Sequence, residues 1–104
     1  MNKDEKLRLI DELGISEEDF DELYKFSIED INVELTNLNN SFVNDDMDGL
    51  KRAVHAIKGI AGNFRIHIVY ETSVLLEKAI KGNMDKKDIQ EYLNRLSDDV
   101  KCIS

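Results

Sequence analysis

The absence of proline is the strongest constraint on this chain: none occurs in 104 residues, and there are only five glycines. Sandwiches and barrels turn every eight to twelve residues or so, and they draw on these two residue types to do it. Helices are therefore expected throughout. The apolar residues agree, because they recur at spacings of three and four, the period that lays side chains along one face of a helix.

A first helix is expected from about Lys3 to Leu13, with Leu9, Ile10 and Leu13 on one face and Gly14 as its stop. Ser16-Glu17-Glu18-Asp19 then supplies a hydroxyl cap and acids that suit the positive end of a helix. From Phe20 to about Asn39 the stripe is Phe20, Leu23, Tyr24, Ile28, Ile31, Leu35 and Leu38, and Asn39-Asn40-Ser41 with Asn44-Asp45-Asp46 reads as a connection plus cap. A third helix, about Asp46 to Phe64, carries Leu50, Ala53, Val54, Ile57, Ala61 and Phe64. A fourth, about His67 to Lys81, carries Val69, Thr72, Leu75, Leu76 and Ala79 or Ile80, and ends at Gly82-Asn83. The fifth, about Asp85 to Ile103, carries Ile89, Tyr92, Leu93, Leu96, Val100 and Ile103. The expected fold is all-α: an antiparallel up-down four-helix bundle over residues 17–103, with residues 1–15 as a short capping helix, in a single domain of 1–104. Phe26 and Val33 project away from the main stripe of their helix, and the N-terminal helix is expected to cover them through Leu9, Ile10 and Leu13.

Charge and cysteine content limit the function. Lys and Arg number 14 against 22 Asp and Glu, a net charge of −8, which disfavours binding to nucleic acid. No apolar run approaches the roughly 20 residues needed to cross a bilayer, and no signal-like stretch comes after Met1. One cysteine, Cys102, allows no internal disulfide and fits a reducing compartment, so a cytoplasmic protein is expected. The opening Met1 and the complete set of helices favour a free-standing protein over a domain of a longer kinase.

Against this acidic background one segment is basic: Lys51-Arg52-Ala53-Val54-His55-Ala56-Ile57-Lys58-Gly59-Ile60-Ala61-Gly62-Asn63. At about 100° per residue, His55 projects about 150° from the apolar stripe and should be exposed. Gly59 and Gly62 fall on its face at i+4 and i+7, Lys58 at i+3, and Lys51 and Arg52 at i−4 and i−3. Each glycine inside a helix costs about 0.5 to 1 kcal/mol against alanine, so a bare exposed face asks for a reason. Close approach of a second macromolecule supplies one, and a local cluster of positive charge suits an anion such as a phosphoryl group. The alternative for the glycines is close packing by a neighbouring helix, and for Lys51 and Arg52 an ordinary solvated surface. A metal shared by His55 and His67 would need further ligands, and none is apparent.

His55-Ala56-Ile57-Lys58-Gly59 resembles the H-x-x-K-G signature of histidine-containing phosphotransfer (HPt) domains. The likeness continues through Ala61, Gly62, Asn63 and Phe64, and into Leu75-Leu76-Glu77 with Gly82-Asn83, and it spans roughly Phe20 to Val100. Ile60 stands where a small residue is common, and Arg65 where a glycine often follows the hydrophobic residue, which questions the geometry of the Phe64 to His67 turn. The resemblance implies a monomeric relay component: His55 accepts a phosphoryl group from a receiver-domain aspartate and returns it to another, Lys58 offsets charge, and Gly59 leaves room for receiver loops. Gly62, Asn63, Lys51 and Arg52 are the further candidates for partner docking. Partners would be response-regulator receivers and possibly a hybrid histidine kinase, with magnesium held in the receiver and no cofactor in this chain. An exposed imidazole, with an ordinary pKa of about 6.5, is largely neutral and hence nucleophilic at cytosolic pH. No Walker A loop is present, so self-phosphorylation from ATP is not expected. The alternative is a helical adaptor that docks a receiver or kinase without taking phosphate.

Overall fold

A computed structural model describes residues 2–104. It contains five helices and no strand among the described residues: α1 (Lys3–Leu13), α2 (Glu17–Val43), α3 (Met47–Asn63), α4 (His67–Lys81) and α5 (Lys86–Ile103). Three begin with a side-chain cap. Asn2 accepts from the backbone N–H of Glu5, Ser16 from Asp19 and Asp46 from Gly49, each satisfying a donor that the first turn leaves free.

All four connections close in the same way. A residue with positive φ comes after each helix, namely Gly14 (67°), Asp45 (55°), Arg65 (53°) and Asn83 (54°). Its N–H and the next one return to carbonyls of the last turn, as in Arg65 N to Gly62 O (3.3 Å) and Ile66 N to Ala61 O (2.8 Å). This pair of bonds is the Schellman motif. Asp and Asn tolerate the left-handed conformation comparatively well, whereas Arg65 bears its strain without a local hydrogen-bonding side chain. The turn therefore keeps the geometry that a glycine would favour, and the departure at Arg65 does not disturb it.

Three sequence expectations need correction, the first two in α2 and α4 and the third in α1. α2 does not end near Asn39 but runs on to Val43; the amide-rich stretch is helical because its polar side chains face outward while Leu38 and Phe42 continue the inward stripe. Leu23 and Leu75, assigned to core stripes, are exposed.

The core is built from Ile31 and Leu38 of α2, Leu50, Val54 and Ile57 of α3, Val69, Leu76 and Ile80 of α4, and Leu93, Leu96 and Val100 of α5. α2 packs on α3, α3 on α4, α4 on α5, and α5 returns to α2, in a body of 44 × 20 × 19 Å. The long dimension matches the roughly 40 Å of a 27-residue helix.

α1 touches α2 but does not cover Phe26 and Val33, which remain 50% and 58% exposed. Its charges direct it elsewhere. Lys6 pairs with Glu17 (3.1 Å) and Asp21 (2.7 Å) at the start of α2 and lies over the ring of Phe20, while Glu12 meets Arg65 (2.5 Å) in the α3–α4 turn. Leu9 is the buried residue of α1, and on the bundle Phe20, Tyr24 and Phe64 form a cluster whose ring centroids lie 6.0 to 6.2 Å apart.

Candidate functional site

α3 is pinned to the core by Ala53, Val54, Ile57 and Ala61, all buried, and this fixes which way its other face looks. His55 stands on that outer face with its side chain 74% accessible, as its angle from the stripe requires. Lys51, Arg52, Gly59, Gly62 and Asn63 are also exposed, and Lys58 is partly so. Among the described residues, no neighbouring atom lies within 4 Å of where a Cβ on Gly59 would stand. Packing by another helix does not account for this glycine. At Gly62 the ring of Tyr70 comes to 3.4 Å, an ordinary contact. Arg52 borders a polar groove of about 490 Å³ with Glu34, Asn37 and Ser41 on α2, and neither it nor Lys51 forms an ion pair among the described residues.

The side chain that organises the site is Glu77, on α4. Its residue is only 8% exposed, and its carboxylate receives Lys58 Nζ at Oε1 (2.7 Å) and His55 Nδ1 at Oε2 (3.2 Å), with Lys81 Nζ 3.7 Å away. The Lys58 hydrogen bond, aided by His55, holds the Glu77 carboxyl below the usual carboxylate range in spite of its burial. The same bond raises the Lys58 ammonium above its ordinary value. An ionised carboxylate only accepts hydrogen bonds, so this network assigns the ring proton of neutral His55 to Nδ1. The lone pair then sits on Nε2, which has no hydrogen-bond partner among the described residues.

Sequence spacing around His55 does not single out Glu77 as functional, although a signal for it exists in the chain. It shares a helical face with Val69 and Ser73, at i−8 and i−4, so it is an acid on a buried stripe, and a buried charge requires a cation partner. Behind it, Thr72 and Asp99 form a second buried polar contact, the Thr72 hydroxyl donating to Asp99 and tying α4 to α5. His67 does not approach His55 as a metal partner; its Nε2 lies 3.3 Å from Glu5 of α1.

A family model for the Hpt domain matches residues 17–101. The chain belongs to the Hpt domain family. The match begins at the first residue of α2, leaving α1 outside it, and takes in every residue of the His55 cluster. Membership assigns the protein a phosphotransfer-related role in two-component signalling, where Hpt domains interact with receiver domains and kinases. Comparison with curated proteins and with solved structures finds no match. No helix among the described residues is long and apolar enough to cross a membrane.

Proposed function

We propose that this Hpt domain relays a phosphoryl group between receiver aspartates through a phosphohistidine at His55. The observation that carries the reading is the pairing of His55 Nδ1 with the ionised Glu77, which leaves Nε2 unprotonated and open to solvent. A docking module that never took phosphate would have no use for a held tautomer beneath an exposed nucleophile. Nε2 attacks the phosphorus of the receiver's aspartyl phosphate; the P–O bond breaks and its electron pair returns to the aspartate. In the onward step a second aspartate attacks, the P–N bond breaks, and its pair returns to Nε2.

Lys58, one turn along from His55, offsets charge on the phosphoryl group. The bare surface at Gly59 and the exposed Gly62, Asn63, Lys51 and Arg52 admit the receiver's loops, and the receiver brings the magnesium ion. The scaffold is read as an antiparallel up-down four-helix bundle with α1 as a cap: short connections join successive neighbours, and α5 returns to α2. The protein acts as a cytoplasmic monomer within a single domain.

The test uses a receiver phosphorylated with a radioactive label. The relay reading expects label on the wild type, none on His55→Gln, and undiminished receiver binding by that variant. Label transfer to His55→Gln equal to wild type would overturn it.

A further inference from the structure

We propose that Glu77 sets the lifetime of the phosphorylated state by keeping a proton on Nδ1 of His55 after the phosphoryl group has arrived. This rests on His55 being the phosphorylated residue and concerns the fate of the phosphoryl group once it is in place. When Nε2 of the neutral ring takes the phosphoryl group, the ring still carries its Nδ1–H and becomes a cation. Loss of that proton leaves a neutral phosphorylated ring, whose P–N bond can break only by expelling an imidazole anion. With the proton retained, the departing group is a neutral imidazole, and transfer to the next aspartate is far easier.

The geometry favours retention. Glu77 Oε2 lies 3.2 Å from Nδ1, and the carboxylate is shielded from water on a residue that is only 8% exposed. Lys58 at 2.7 Å and Lys81 at 3.7 Å keep it ionised, and they also fix it in place. Among the described residues no other carboxylate contacts the ring, so Glu77 alone balances the charge of the phosphorylated imidazolium from this side. Glu77 acts through His55 and touches neither the phosphoryl group nor the receiver; it is a positioning residue. An opposite charge at hydrogen-bond distance favours the protonated form of the phosphorylated ring.

Glu77→Gln removes the negative charge at nearly unchanged shape: its one amide oxygen replaces one of the two carboxylate oxygens that Lys58 and Nδ1 use, and the NH2 group takes the place of the other. Wild type and variant are loaded chemically with phosphoramidate, which needs no receiver, and decay of the phosphohistidine is monitored by phosphorus NMR from acid to neutral pH. Circular dichroism verifies that both are folded. The variant's phosphohistidine is expected to decay about tenfold more slowly near neutral pH, with its fast acid limb moved to lower pH by about one unit or more. A purely structural role would leave that profile in place. Coinciding profiles for the two proteins would overturn the proposal, even where receivers load His55 normally. A displaced profile with no loading by any receiver would instead overturn the relay while sustaining the role of Glu77. Failure of phosphoramidate to load His55 would overturn both.

Discussion

Two seams of this molecule are stitched by charge, and they differ in what surrounds the charges. Between α3 and α4, one carboxylate, Glu77, is buried and gathers Lys58, Lys81 and His55. Between α1 and the rest, Lys6 meets Glu17 and Asp21, Glu12 meets Arg65, and Glu5 meets His67, spread along the surface and mostly in water. Exposed pairs contribute little, because solvent screens them and long side chains must be ordered to form them. A shielded carboxylate with three cationic or proton-bearing neighbours stays ionised and directs a tautomer. The first seam can do chemistry, whereas the second orients a helix whose hold on the bundle comes from Leu9.

The largest effect that would break this contrast concerns His55. His55→Gln should abolish phosphoryl uptake with its helical content unchanged, while Leu9→Ala should lower stability by about 2 kcal/mol and leave uptake intact in the folded protein. Denaturant melts paired with transfer assays check both, and loss of uptake in folded Leu9→Ala would erase the distinction between the seams.

Gly59 gives the next largest effect, and a divided one. With no neighbouring atom within 4 Å of its Cβ direction, Gly59→Gln should raise stability by about 0.5 to 1 kcal/mol and yet slow transfer from a receiver about tenfold or more. Unchanged transfer rates would show that receivers do not approach this face closely.

The Glu77–Lys58 pair also carries a pH signature. Glu77 is lowered in the folded protein, so its contribution is complete above the ordinary carboxylate pKa of about 4.3 and is lost as pH falls through the folded value. Lys58 is raised, so its share is complete below about 10.4 and is lost as pH rises through its folded value. Stability measured against pH should lose its acid component in Glu77→Gln and keep it in Glu12→Ala. The smallest effect is expected from Glu12→Ala itself, at most about 0.5 kcal/mol at low salt and vanishing near 1 M; a larger, salt-insensitive loss would make the α1 seam more than an orienting contact.

Legibility in the sequence divides along the same line. The stripe Leu50, Ala53, Val54, Ile57 and Ala61 fixes the orientation of α3, and with it the exposure of His55, because a helix surface is a function of residue spacing alone. Glu77 lies 22 residues away on another helix, and its meeting with His55 depends on how α3 and α4 slide past one another, which spacing within either helix does not contain. The path of α1 escaped for a related reason: Phe26 and Val33 offered it an apolar seam, but ion pairs at Glu17, Asp21 and Arg65 carry it across the bundle end. The extension of α2 to Val43 was hidden by asparagines, which in isolation favour turns but here decorate the outer face of a helix held by Leu38 and Phe42.

Phosphorus NMR of the purified protein mixed with a phosphorylated receiver tests the central claim most directly, with His55→Gln alongside. The account predicts a phosphoramidate resonance, with phosphorus on Nε2, in the wild type and none in the variant. A folded wild type that binds receivers and yet shows no such resonance across a broad panel of them would contradict it.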